Sequence, residues 1–298
     1  MELKNKKANK KKVKKLDRFM QSVFLLSALL SVLAIILIAT FIFAGGIPFI
    51  AKYGLSNFLL GEKWTPSNNP AAFGILPMIF GSVSVTLGAI VIGVPIGVMT
   101  AVFMAEYCSP KLYKMLKPSV NLMAAIPSIV YGFFALQLIV PFMRRLFGGT
   151  GMNMLTVMLL LGVMILPTII GMSEAAIRAV PKSYYNGSLA LGATHERSLM
   201  KVSLPAAKSG ILSSIVLGIG RAIGETMAVV LVAGNQPRIP ESLTQGVRTL
   251  TTNIVLEMSY ATGQHREALI ATAVVLFGFI LLINGVFLFI KRKEAIIK

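Results

Sequence analysis

Residues 178–210 read RAVPKSYYNGSLALGATHERSLMKVSLPAAKSG and lie between two apolar stretches, near 153–176 and 209–233. A helix needs about 20 apolar residues to cross the hydrocarbon core of a bilayer. The segment therefore reads as a connector between two membrane spans. Further stretches of spanning length lie near 20–44, 75–105, 119–142 and 268–290. Composition agrees: 55% of the 298 residues are hydrophobic and 13% are charged, against about 25% charged in soluble domains. The predicted fold class is an all-α integral membrane protein with six transmembrane helices.

The net charge of +18 raises nucleic-acid binding, but its distribution excludes it. Basic residues gather at the ends of apolar stretches, where they set membrane orientation. A lysine-rich N-terminal tail, residues 1–18, is placed in the cytoplasm. Six spans then put Lys111, Lys114, Lys117, Arg178, Lys182, Arg197, Lys201 and Lys208 inside, with Lys291, Arg292, Lys293 and Lys298 of a C-terminal tail, 291–298. Fewer fall outside: Lys52, Lys63, Arg144, Arg145, Arg238, Arg248 and Arg266. Both termini are predicted cytoplasmic, around a transmembrane domain at 19–290 with a cytoplasmic connector at 178–208. The pair Arg144–Arg145 runs against the bias: either the assigned topology errs there or the pair forms a positive mouth that attracts anions. Phe19–Phe43 exceeds the roughly 7–15 residue core of a cleaved signal peptide, so it reads as a retained span. The lysine run reads as a topological anchor, with attraction to anionic headgroups secondary.

Within the connector, Pro181 suits the first turn of a helix over 183–191. Gly192 permits a sharp reversal, because glycine takes positive φ without steric cost. Thr194 is a candidate N-cap of a second helix reaching about Val202, and Pro205 punctuates the start of the next span. The expected product is a helix–turn–helix presenting Leu189, Leu191, Leu199, Met200 and Val202 to a groove on a partner.

Gly192, nine intervening residues and then Val202-Ser203-Leu204-Pro205 resemble the "EAA" loop of binding-protein-dependent ABC importer permeases. That family's pattern is EAA, three residues, Gly, nine residues and I-x-L-P. The EAA positions are Asn186, Gly187 and Ser188 here, so the acidic first residue is absent and any salt bridge it would make is lost. The resemblance implies a type I importer (MetI-like) permease fold. It also implies a loop, including Asn186, Gly187, Ser188, Gly192, Val202, Leu204 and Pro205, that docks on a separate ATPase. No G-x-x-x-x-G-K-[ST] phosphate loop occurs, so ATP belongs to a partner subunit. No cofactor bound by the chain itself and no catalytic residue is expected.

The stretch 217–235, LGIGRAIGETMAVVLVAGN, places Arg221 and Glu225 in a span. Four residues apart on a helix, they would share one face. A charge at the bilayer centre costs roughly 2.5–3.5 kcal/mol on insertion scales, so a reason for it is required. In one reading Arg221 offers its planar fork of donors to an oxyanion, with Glu225 orienting and neutralising it and Thr226 adding a hydroxyl. In the other, the pair only fixes helix packing. Pro95, with Gly93 and Gly97, is the expected place for a break in the second span.

Residues 220–228, GRAIGETMA, resemble the GRAxGETMA segment of PstC-type phosphate permeases, as do Phe73–Pro77 and Ala125–Gly132. This implies a permease in the bacterial inner membrane that forms the pathway for inorganic phosphate. The implied partners are a second related permease, two ATP-binding subunits and an extracytoplasmic phosphate-binding protein. Sulfate or molybdate is the alternative cargo; an ATP-independent channel or carrier is the alternative class, which the docking loop disfavours. Cys108 reads as a small buried hydrophobe, with no metal-ligand spacing around it. Glu106 and Glu174 read as interfacial, His195 as a docking-loop contact and His265 as outer-loop surface. A short re-entrant or interfacial helix is expected near 247–255.

Overall fold

The computed structural model describes the backbone of residues 2–296 and the side chains of 17–287 and 289. The lysine side chains of the N-terminal run up to Lys15, and those of 291–298, read above as topological anchors, lie outside the described residues.

Helix α1 (Glu2–Tyr53) carries the first span beyond its expected end, through Pro48, and stops at Gly54, where φ is 93°. The next segment is compact: α2 (Leu55–Leu60) leads to a two-stranded hairpin, β1 (Trp64–Thr65) with β2 (Ala72–Phe73). Phe49, Phe58, Trp64 and Phe73 are buried together, so this stretch forms a small core of its own.

Helix α3 (Leu76–Val102) ends in a π-helical turn at Phe103–Tyr107. It does not break at Pro95. An ideal Cβ on Gly93 would sit 2.7 Å from Ile165 Cδ1, and one on Gly97 2.8 Å from Ile169 Cγ2. These glycines serve close approach of two helices. That is how spans associate in lipid, where the driving force is contact and not water exclusion.

The third span starts later than its hydropathy suggested. Helix α4 (Pro110–Ala125) is separate and ends where Ile126 turns extended before Pro127, as proline disfavours a helical predecessor. The crossing is made by α5 (Ser128–Phe134), a π-turn at Ala135–Ile139 and α6 (Val140–Phe147). Helix α7 (Met154–Arg178) follows, its N-terminus capped by the Asn153 side chain, which accepts from Thr156 N at 2.9 Å. The connector holds α8 (Lys182–Ala190) and α9 (His195–Ser198), and a π-turn at Leu199–Ser203 hands over to α10 (Leu204–Gly224). Then come α11 (Met227–Val232), α12 (Leu250–Glu257) and α13 (Gly263–Ile296). The expected short helix near 247–255 is α12, with Thr249 and Thr252 forming a reciprocal cap.

Among the described residues, six helical stretches are long and apolar enough to cross a membrane: Asp17–Tyr53, Leu76–Tyr107, Ser128–Phe147, Met154–Arg178, His195–Gly224 and Gly263–Phe287. In the apolar window of α7, 67% of residues are buried, against 28% for α3 and 0% for α1. Helix α7 is therefore the axis of the bundle, with α3 and α10 packed on it. Leu160, Leu161, Met164, Ile165 and Ile169 form its inner face. Cys108 is half-buried, not fully enclosed.

Candidate functional site

The fifth span is discontinuous at the charged pair. Helix α10 ends at Gly224, Glu225 is extended (φ −69°, ψ 129°), and α11 begins at Met227. Arg221 and Glu225 therefore do not share a helix face. The reason is local. Glu225 Oε1 accepts from Thr226 N and Ala228 N, each at 3.2 Å, so the carboxylate satisfies amides left open at the start of α11. Thr226 donates its hydroxyl to Gly224 O at 3.2 Å, and Thr251, from α12, donates to Glu225 O at 3.2 Å. Non-helical backbone at membrane depth persists where protein supplies such partners.

Arg221 is left facing a neutral group. Its Nη1 donates to Thr168 Oγ1 of α7 at 3.2 Å. Among the described residues no carboxylate pairs with it. The guanidinium lines a cavity of about 740 Å³ walled by α7, α10 and α13, with Thr168, Ser213, Gly220 and Asn284 as its other small or polar members and Met172, Leu212, Val216, Leu217 and Phe287 as its apolar ones. An ideal Cβ on Gly220 meets nothing within 4 Å, whereas one on Gly218 lies 3.1 Å from Ile169 Cγ1. Gly218 thus serves packing, and Gly220 opens backbone to the cavity. Thr168 and Asn284 carried no motif in the sequence and were not anticipated.

The connector forms the expected reversal. Gly192 has φ +86° and nothing within 4 Å of an ideal Cβ, so its requirement is conformational. Thr194 Oγ1 accepts from Arg197 N at 3.3 Å as the N-cap of α9. Asn186 and Gly187 are exposed on α8, and Ser188 donates to Tyr185 O at 2.8 Å. Leu191 is 91% exposed and Met200 59%, a bare apolar surface, but Leu199 is buried and does not join it. Pro205 occupies the first turn of α10, where a missing N–H is tolerated. Leu204 packs beside Ala101, Ile177 and Ala207 inside the bundle, and Val202 is half-buried. His195 is braced from two sides. Its Nδ1 lies 2.6 Å from the Tyr185 hydroxyl, and the Tyr107 ring meets it edge-on at 5.3 Å.

Two charged clusters flank the bundle. On the connector side Glu174 is buried, not interfacial, and takes Lys117, Arg178 Nε at 2.6 Å and the Tyr113 hydroxyl at 2.8 Å. The hydrogen bond to Glu174, and then burial, push the Tyr113 phenol above its ordinary pKa. The spacing of Glu174 and Arg178, four residues apart, was the signal available in the sequence. On the hairpin side Glu257 accepts from Arg248 Nη1 and from Trp64 Nε1 at 2.9 Å, and His265 Nε2 lies 2.8 Å from it. His265 is thus an internal brace and not surface. Arg144 turns back onto Thr150 O at 3.2 Å, leaving Arg145 exposed beside it. No group of metal-ligating side chains forms among the described residues.

The family model for the binding-protein-dependent transport system inner membrane component matches residues 93–295. The chain belongs to this family. It is a multi-pass inner-membrane transport component. This permease is 40% identical over 238 residues to the "Probable ABC transporter permease protein YqgH" of Bacillus subtilis, covering 79% of this chain and 77% of that protein. It is 33% identical over 270 residues to the "Phosphate transport system permease protein PstC" of Mesorhizobium japonicum, covering 84% and 82%. Among solved structures, the permease resembles a chain of the inward-facing MetNI methionine ABC transporter (TM-score 0.60, 22% identity, 74% of this chain and 95% of that one). It also resembles a chain of a bacterial alginate ABC transporter in complex with a periplasmic protein (TM-score 0.58, 16% identity, 88% and 91%). These two likenesses carry the fold: the type I importer permease architecture expected from the loop.

Proposed function

We propose that the chain forms one half of the membrane pathway of an ATP-driven, binding-protein-dependent importer of inorganic phosphate. The observation that carries this reading is the state of Arg221: a mid-span guanidinium in a cavity, held by a neutral hydroxyl, with its usual carboxylate neighbour turned away onto backbone amides. An unpaired cation in such a place suits a passing tetrahedral oxyanion, which accepts two parallel N–H bonds from the fork. Likeness to phosphate transport permeases such as the Mesorhizobium japonicum protein supports phosphate as the cargo.

The remaining parts follow from the same reading. A second related permease closes the open side of the pathway. Of two ATP-binding subunits, one docks on α8 and the Gly192 reversal of this chain, with Leu191 and Met200 entering a groove on its surface. An extracytoplasmic phosphate-binding protein delivers cargo on the hairpin side, and both termini lie in the cytoplasm.

The test is uptake by the complete transporter in proteoliposomes, with phosphate and sulfate in competition, for the native chain and for Arg221→Ala. Phosphate preference, and loss of uptake in the variant with the ATPase still bound, are expected. Sulfate or molybdate preference replaces the cargo, and uptake without ATP replaces the class. Retained uptake in Arg221→Ala removes the pathway role of the cation.

A further inference from the structure

The Arg221 cavity has a second polar pole. On α10, Ser213 lies eight positions before Arg221 and lines the same cavity, about 12 Å toward the connector at a helical rise of about 1.5 Å per residue. Between the two poles the wall is apolar, with Val216 and Leu217. Across from α10, α13 contributes Asn284, set in the otherwise apolar run FGFILLINGVFLF of residues 277–289.

A primary amide in such a run is costly against lipid and calls for a polar counterpart. One common use is to bind neighbouring helices together by hydrogen bonds. That use is not seen here: among the described residues no hydrogen bond engages the Asn284 amide. Its exposed position opens on the cavity that Arg221 lines. Ser213 is already engaged, donating to Ser209 O at 2.8 Å, and here marks only the depth of the cavity wall on α10.

We propose that the Asn284 amide forms a second, uncharged station for the tetrahedral oxyanion in this cavity, on the connector side of Arg221. This rests on the reading of the Arg221 cavity as the pathway. The chemistry suits release. A conduit needs sites favourable enough to enter and weak enough to leave. A guanidinium alone would hold the anion, whereas an amide offers two N–H donors and a carbonyl acceptor with no net charge. The acceptor also suits a partly protonated oxyanion, whose own hydroxyl can donate to it.

Charge of either sign at Asn284 separates this role from a packing role. The complete transporter is reconstituted with Asn284→Leu, Asn284→Asp or Asn284→Lys, beside Arg221→Ala, and phosphate uptake and copurification with partner subunits are measured. A station for an anion predicts that Leu slows turnover about tenfold, that Asp slows it at least as much and raises the half-saturating phosphate concentration, and that Lys lowers that concentration while slowing turnover. In all three, copurification stays intact. If Asp and Lys instead reduce copurification alike, and Leu does nothing to uptake, the amide is a packing group and the proposal is overturned. If Arg221→Ala abolishes uptake while all three Asn284 variants transport normally, the Arg221 reading stands and the second station falls. If Arg221→Ala transports normally, both fall together.

Discussion

Arg178 Nη2 donates to the carbonyl of Met104 at 2.7 Å, joining the last turn of α7 to the π-turn that ends α3. The first connector helix, α8, is entered three residues later, at Pro181. Tyr107, in the same π-turn, meets His195 of the connector. The opposite end of α3 is also held: Ser82 Oγ accepts from Leu250 N at 2.9 Å, and Gly81 abuts the Arg248 carbonyl. Helix α3 is thus a rod fixed at one end to the connector and at the other to the loop before α12. Its contacts at both ends place it, beside α10, between the connector and the hairpin side. Packed elements with discrete arrangements carry coupling between sites.

Glu174 is the node at the lower joint, and its removal is expected to loosen it. Glu174→Ala leaves Lys117 and Arg178 as uncompensated cations around an emptied buried site. Breaking a buried ion pair costs about 3–5 kcal/mol. Both cations are partly exposed, which reduces this to about 2–3 kcal/mol. A lowered Tm of the purified complex, with Glu174→Gln intermediate, checks it. Tyr113→Phe tests the sign of a titration. The phenol's folded pKa is raised above 10.0, so its stabilising contribution is present below that pH and is lost as pH rises through the elevated folded value. The gap in Tm between native chain and Tyr113→Phe should be flat up to that range and close above it.

Two glycine substitutions should fail in different ways. Gly97→Val drives a side chain into Ile169, where an ideal Cβ already sits 2.8 Å from Cγ2. Overpacking of this kind costs about 1–3 kcal/mol or more, and the yield of monodisperse complex should fall. Gly220→Val meets open cavity. The complex should form normally and phosphate uptake should fall at least tenfold, because the new methyls stand beside Arg221.

Those residues also show what sequence could and could not convey. Span number, the Gly192 reversal and the Thr194 cap depend on local chemistry, and were legible. The α3–α7 contact was not. Gly93 and Gly97 beside Pro95 read equally well as a weak point or as a packing face, and only Ile165 and Ile169, some 70 residues away in sequence, decide for packing. Arg221 was legible as an exceptional charge. The spacing of Glu225 was misleading, because a four-residue interval means a shared face only if the helix continues, and the amides of Thr226 and Ala228 compete for the same carboxylate. Thr168 and Asn284 left no local signal, since a single polar residue in an apolar run acquires its meaning from the wall opposite.

At Gly192 the prediction concerns backbone alone. With φ at +86° and open space around it, a β-branched residue is strained without any clash, by about 1–2 kcal/mol. Gly192→Val should weaken association of the ATP-binding subunits, measured by copurification, while Gly192→Asn, which tolerates positive φ better, should lose less. Equal loss in both would place the requirement in side-chain contact with the partner and not in the turn.

The hairpin-side cluster contains its own reporter, because Trp64 is the only tryptophan in the chain. Trp64 is 4% exposed and its Nε1 donates to Glu257, which also holds Arg248 and His265. Glu257→Ala removes the acceptor shared by three donors, leaving a buried guanidinium whose other side-chain partner is Asn253. Loss of a buried partner of this kind costs about 3–5 kcal/mol, and without it the hairpin, α12 and α13 lose their common tie. Intrinsic fluorescence of the purified complex should shift to longer wavelength as water reaches the indole, with a matching fall in Tm. Glu257→Gln keeps an acceptor oxygen for Trp64 but loses the charge facing Arg248, so it should keep the native emission and lose only part of the stability. If both variants shift the emission alike, the indole is held by the ion pair through the position of α12. If neither does, the aromatic cluster of Phe49, Phe58 and Phe73 holds Trp64 without help from the carboxylate.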